Sequence, residues 1–368
     1  MPKPKRGGLA LQCCQGMTVG TLSRVLARNH FRVSPRYLHR LAYLFAVGFM
    51  NSFFARIEAL DNGADVEASE LVAPPIFIVG HWRSGTTHLH NLLARDEHFA
   101  CPTVYQTMFP HHFLYTQRRG SKVFDVFCPE TRPMDNMPLS ASALHEDEFA
   151  LAALSTVSPY MRFLFPETGD GTHSSLDLLS VTGEDLEAWK KSLIHLLKKL
   201  TFWKGKRVVL KSPPHMGRIR VLLEMLPGSK FVHIVRDPYA VYMSTRKLWF
   251  DSLRYSHLQT ADPDDLDDVI LSWYTELFRL FERDRNLIPQ GSLHELRLED
   301  LEKSPWDALQ EIYQDLELPD FDSFWTRVEP YLKSIEGYRK DGYQLDEADR
   351  EKVSQRWHRT FEQYGYSL

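Results

Sequence analysis

The sequence predicts an α/β fold, with a central, mainly parallel sheet flanked by helices in three layers. Three observations carry that expectation. Short runs of apolar, often β-branched residues alternate with longer stretches of helical period. The runs are apolar on both faces, as strands covered by helices on each side must be. No Pro-, Gly- or Ser-rich linker interrupts the alternation, so residues 71–368 read as one domain behind a basic helical segment over residues 1–70.

The elements follow in order. Residues 1–20 read as mobile, and residues 21–60 as one or two helices broken near Ser34-Pro35, with a polar connector over 61–69. Ile76 to Val79 is a buried strand that Gly80 ends, and Thr86 to Ala94 is a helix with Leu89, Leu92 and Leu93 on one side. Residues 101–180 are rich in Pro, His and aromatics with weak periodicity, which suits substrate-covering loops and short helices. Gly183 to Leu200 is helical, with acids in its first turn and lysines in its last. Strands follow at Arg207 to Leu210, Lys230 to Val235 and Leu293 to Leu298. Helices follow at Ile219 to Leu226, Pro238 to Leu248, Asp264 to Asp284 and Pro305 to Leu316.

Bulk properties exclude some functions. A net charge of −4 over 368 residues gives no general affinity for nucleic acid. Nine cations (Lys3, Lys5, Arg6, Arg24, Arg28, Arg32, Arg36, Arg40 and Arg56) precede the first acid, Glu58, so the rest of the chain carries the acid excess. Such a leader either packs on the acidic body as a lid or makes peripheral membrane contact through residues 1–57. The apolar run from Leu41 to Ala55 falls short of the ~20 residues of a spanning helix and reads as buried or interfacial. Cys13, Cys14, Cys101 and Cys128 have neither zinc nor disulfide-framework spacing, which points to a reducing, cytoplasmic location. Oligomeric state stays open.

The chemistry gathers at three predicted strand ends. Gly80-His81-Trp82-Arg83-Ser84-Gly85-Thr86-Thr87 joins a strand to a helix, which aims backbone N–H groups and a helix N-terminus at one anion. The shape is P-loop-like, but Thr86-Thr87 stands where a nucleotide hydrolase carries Lys, and the cation sits inside the loop at Arg83. Lys211 ends the second predicted strand, where a magnesium-holding acid would stand in such a hydrolase. Arg236 ends the third, and Ser244 lies two helical turns on, so the pair offers a guanidinium fork and a hydroxyl to a phosphate. Cations at three strand ends describe a metal-free site for a ligand with separated anionic groups.

Together these segments resemble the sulfotransferases that use 3′-phosphoadenosine-5′-phosphosulfate (PAPS). IFIVGHWRSGTT is similar to their 5′-phosphosulfate loop, and FVHIVRDPYAVYMSTRKLW to their 3′-phosphate segment. LRLEDLEKSPWDALQEIYQDLELP is similar to the strand-helix ending of their fold. The resemblance is to the bacterial-type branch related to tyrosylprotein sulfotransferases. It implies transfer of a sulfuryl group from PAPS to a hydroxyl or amine, leaving 3′-phosphoadenosine 5′-phosphate (PAP), with no metal required. Gly80, Trp82, Arg83, Ser84, Gly85, Thr86, Thr87, Arg236 and Ser244 are the expected nucleotide contacts. Tyr338 and Lys340 are expected to close on the 3′-phosphate from the C-terminal end. Arg83 and Lys211 would stabilise the leaving oxygen.

A general base is less evident. Pro213 stands where many cytosolic members carry His, with His215 two residues further on, and Thr103 to Tyr105 carries no acid where tyrosylprotein sulfotransferases use Glu. His145-Glu146-Asp147-Glu148 supplies the leading candidates, Glu146 and His145, with His111 and His112 behind them. Alanine at Arg83, Lys211 or Glu146 is expected to abolish transfer, and Glu148→Ala to be mild. Two competing readings are a P-loop kinase or NTPase and a catalytically silent nucleotide-binding adaptor. The acceptor is a small molecule or lipid-like compound, with a pocket expected from residues 101–165.

Overall fold

A computed structural model describes residues 14–131, 137–167, 174–251, 255–336 and 345–368. Two helices come first, α1 (Val19–Arg28) and α2 (Leu38–Ala68). Strand β1 (Ile76–Val79) and helix α3 (Thr86–Leu93) follow, then the two-residue strand β2 (Phe99–Ala100). Five helices come next: α4 (Val104–Met108), α5 (Phe113–Phe127), α6 (Glu148–Ser155), α7 (Met161–Leu164) and α8 (Ser174–Asp177). The long α9 (Gly183–Lys204) leads into β3 (Arg207–Lys211), α10 (Ile219–Met225), β4 (Lys230–Val235), α11 (Pro238–Asp251) and α12 (Pro263–Asp284). The chain ends with β5 (Leu293–Arg297), α13 (Leu298–Lys303), α14 (Pro305–Asp315), α15 (Phe321–Ser334) and α16 (Glu347–Tyr364).

The five strands are parallel throughout, in the order β2-β3-β1-β4-β5. Strand β1 is central and wholly buried, and its alternation divides the core. Phe77 and Val79 join the larger apolar cluster on one face, while Ile76 and Ile78 pack with α3 and α14 residues such as Leu92 and Leu309 on the other. Four of these strands are those that the apolar runs predict; β2 is too short to leave a periodic signal.

Two expectations are corrected at the N-terminal end. Residues 1–13 lie outside the described residues, but Cys14 to Met17 is buried rather than mobile. Asn51 at the middle of α2 donates from Nδ2 to the carbonyls of Gln15 and Met17, both at 2.9 Å. Helix α2 also runs through the stretch expected as a polar connector, because nothing in Asp61 to Ala68 forces it to stop. Its buried stripe of Leu44, Gly48, Asn51 and Glu58 fixes it to the body. There the Glu58 carboxylate accepts from the buried Lys199 ammonium of α9 and, at 2.9 Å, from the Tyr115 backbone N–H of α5. Among the described residues no helix is long and apolar enough to cross a membrane.

Candidate active site

The glycine loop leaves β1 in a conformation that only small residues permit. Gly80 has φ +148°, and a Cβ there would stand 2.4 Å from the Ile234 carbonyl oxygen of β4. Gly85 has φ +100°, and a Cβ there would meet Leu298 of α13. Arg83 between them is also left-handed, at φ +68°, a strained choice for a residue with a Cβ. The Ser84 backbone N–H and hydroxyl both donate back to the His81 carbonyl, at 3.2 and 2.8 Å, which closes the turn. The loop therefore ends on the first residues of α3, with that helix's N-terminus at its mouth.

The two motifs separated by some 150 residues in sequence meet here. Arg83 Nε donates to Ser244 Oγ at 2.7 Å, and Arg236 donates to the Arg83 carbonyl at 3.1 Å. Both partners come from the end of β4 and the helix after it, since β4 is the direct neighbour of β1. The spacing from Arg236 to Ser244 is what lets one strand end and one helix face address the same loop residue.

On the other side of β1, the register pairs Ile78 with Lys211 of β3. Lys211 Nζ lies 3.4 Å from Thr87 Oγ1 and 2.8 Å from Glu146 Oε1. Its side chain is 3% exposed and that of Glu146 18%, so this is a nearly dry ion pair at the base of α3. The other Glu146 oxygen accepts from the Tyr160 hydroxyl, which in turn accepts from Trp82 Nε1 at 3.1 Å. Burial alone would raise the Glu146 pKa. The Lys211 charge, its hydrogen bond and that of Tyr160 together outweigh burial and leave the carboxyl below its ordinary 4.5. Burial and the same carboxylate push the Tyr160 phenol well above its usual value.

Several expected residues are placed differently. Trp82 does not offer its ring to the loop; the ring is buried among Trp249, Trp273 and Tyr160 and anchors the loop from behind. His145 is hydrogen-bonded through Nδ1 to Thr107 at 2.6 Å with its ring on Phe149, so Glu146 is the member of that pair bonded to Lys211. His112 bonds to Asn51 and Thr116, and His111 is held uncharged, with a pKa lowered to about 3 chiefly by burial. His215 is wholly buried against Asp147 Oδ2 at 2.7 Å. Tyr338 and Lys340 lie outside the described residues. Tyr160 is the site residue that the sequence does not announce, because an isolated tyrosine in an aromatic stretch carries no spacing signal.

Glu148, whose removal the sequence reading expects to be mild for transfer, is placed where its loss should cost stability. Its carboxylate is fully buried, paired with Arg218 at 2.6 and 3.0 Å, and accepts from Ser158 at 2.6 Å. Arg218 has no route to water, so Glu148→Ala strands a buried guanidinium. The expected cost is about 3–5 kcal/mol of unfolding free energy. Urea unfolding followed by circular dichroism would measure it, and an unchanged midpoint would contradict the assignment.

Such a site, with three strand-end cations around a glycine loop and a carboxylate bonded to one of them, belongs to an enzyme that handles a doubly anionic ligand. Residues 74–323 match the family model described as Sulfotransferase family, and the chain belongs to that family. It is a sulfotransferase, and PAPS is the donor that the family implies. It is 38% identical over 351 residues to omega-hydroxy-beta-dihydromenaquinone-9 sulfotransferase Stf3 of Mycobacterium tuberculosis and of Mycobacterium bovis, covering 95% of this chain and 90% of each relative. Its fold is similar to that of the sulfotransferase STF1 from Mycobacterium tuberculosis H37Rv (TM-score 0.66, 18% identity, 92% of this chain and 90% of that one). It is likewise similar to STF9 from Mycobacterium avium (TM-score 0.65, 16% identity, 96% and 98%).

Proposed function

We propose that this enzyme moves a sulfuryl group from PAPS to a hydroxyl of a lipid-like acceptor by in-line displacement. The observation that carries the reading is the Lys211–Glu146 ion pair at the foot of α3. In this reading the carboxylate serves as base and the ammonium as the cation beside it, next to an anion loop. In this scheme the acceptor oxygen bonds to sulfur as the bond from sulfur to the bridging phosphate oxygen breaks. Glu146 takes the acceptor's proton, and Lys211 meets the charge growing on the leaving oxygen. The backbone N–H groups of the loop from Gly80 to Thr87 hold the 5′ end of the donor. Arg83, Arg236 and Ser244 fit its 3′-phosphate half, which moves Arg83 from the leaving oxygen towards the second anion.

The acceptor class rests on two observations. The 38% identical relative is named for a hydroxylated menaquinone derivative, an isoprenoid lipid. This chain also has an apolar cavity of about 780 Å³, lined by residues that include Met50, Phe54, Tyr105, Phe109, Val123 and Phe127. Such a volume suits an isoprenoid tail. Cytoplasmic location with peripheral membrane contact suits such a substrate, and Cys14, Cys101 and Cys128 are free thiols.

Thermal shift and turnover together test the reading. PAP without magnesium is expected to raise the melting temperature, and ATP with magnesium is not. PAPS with an ω-hydroxylated isoprenoid quinol is expected to give sulfated product and PAP. Stabilisation by ATP and magnesium instead would point to a kinase. Stabilisation by PAP with no turnover across a broad hydroxyl panel would point to a silent binding protein.

A further inference from the structure

Helices α2 and α5 pack against each other, yet both leave large apolar side chains in solvent. On α2 these are Phe49 (66% exposed), Phe53 (63%) and Leu60 (88%), which fall on one side of the helix, opposite its buried stripe. On α5, Val123, Val126 and Phe127 are 59%, 77% and 56% exposed; Val123 and Phe127 stand at the rim of the cavity that Tyr105 also lines, and Val126 lies outside it. Scattered exposed apolar residues are ordinary, but a run of large apolar side chains along two adjacent helices is not.

Charge tells what the face meets. Arg56 on the same side of α2 as its apolar residues, and Arg118, Arg119 and Lys122 on α5, are all exposed. No acid precedes Glu58 on α2 and Glu58 is buried; the exposed Asp61, Asp65 and Glu67 follow around Leu60, so the basic part of the face is the stretch with Phe49, Phe53 and Arg56. On α5 the single acid, Asp125, is turned to the Ala141 backbone N–H at 2.6 Å. Interleaved long cations and aromatics suit an anionic lipid surface, where the rings enter the acyl boundary and the cations stay at the headgroups. A protein partner would more often match a face with fewer cations at its centre.

The apolar cavity opens on the same face. Met50, Tyr115, Val123 and Phe127 line it and are themselves exposed. We infer that the outer faces of α2 and α5 dock on an anionic membrane, with the cavity mouth against the bilayer, so that a lipid acceptor enters without crossing water. This deepens the lipid-acceptor reading and rests on it for what the cavity receives. The docking itself stands on the exposed face alone.

The test uses the full chain and vesicles of phosphatidylglycerol or of phosphatidylcholine. The protein is expected to float with the phosphatidylglycerol vesicles, weakly with phosphatidylcholine, and less with the former as salt rises. The variant F49E/F53E/V126E alters exposed side chains that do not line the cavity. It is expected to bind anionic vesicles at least about tenfold more weakly. Its PAPS-dependent turnover of a detergent-dispersed acceptor is expected to match wild type, while turnover of acceptor embedded in vesicles falls. Equal vesicle binding by variant and wild type overturns the proposal, as does wild-type indifference to phosphatidylglycerol. A dimer in sedimentation velocity that the variant dissolves, with vesicle binding unaltered, assigns the face to a second copy and also overturns it. If vesicle binding behaves as expected but neither protein sulfates the lipid acceptor, dispersed or embedded, docking holds and the lipid-acceptor reading fails.

Discussion

Replacing Lys211 by alanine is expected to lower the rate of sulfuryl transfer by about a hundred- to a thousandfold. Lys211 is held at the end of β3 by parallel pairing with β1, so its ammonium reaches the foot of α3 rather than solvent. Thr87 and Glu146 are its neighbours there. A cation in so dry a place acts at low effective dielectric and needs no rearrangement as charge develops, which is where such groups contribute most. In the proposed scheme the charge on the leaving oxygen exists only as the bond to sulfur breaks. The loss should therefore fall on kcat and kcat/KM alike, with little change in KM. Binding of PAP, read by thermal shift, should persist, because the loop and the Arg83, Arg236 and Ser244 group are untouched. Lys211→Met keeps most of the buried stem and serves as the folding control. Full turnover in either variant would remove the leaving-group role.

The parts of this molecule legible in the sequence are those where backbone geometry restricts the residue. Gly80 and Gly85 are required by left-handed φ values and by approaches that a Cβ would block, so the loop stands out in the sequence alone. The buried strand between Pro75 and Gly80 stands out for the same kind of reason, since few residue patterns tolerate burial on both faces. The Arg236–Ser244 pairing follows from helical repeat alone, and it does converge on Arg83. What stays hidden depends on tertiary partners. Trp82 reads as a nucleotide contact because it lies in the loop, yet an aromatic cluster formed by distant helices claims its ring. The four residues from His145 to Glu148 are similar in polarity, and only the fold separates them. Glu146 goes to Lys211, Asp147 to His215 and Glu148 to Arg218. No periodicity distinguishes a carboxylate at a reactive loop from one two residues later that holds a buried guanidinium.

That separation makes Glu146→Gln the more discriminating substitution. The amide keeps the shape and can still accept from Tyr160, but it cannot take a proton. Loss of a positioned base is expected to lower kcat by about a hundred- to ten-thousandfold. The pH profile gives an independent reading. Burial favours the neutral carboxyl, but Lys211 and Tyr160 more than reverse that and hold its pKa below 4.5. A base with a depressed pKa is ionised through the neutral range, so activity limited by it should be flat there and should fall only as pH drops below that value. In Glu146→Gln the residual activity should lack this acid limb. Tyr160→Phe removes one of the bonds that favour the carboxylate, so the limb should move to higher pH while the base survives. A merely structural Glu146 would instead lower activity equally at every pH and leave Tyr160→Phe without effect on the limb. Retention of more than about a tenth of wild-type kcat by Glu146→Gln would place the base elsewhere.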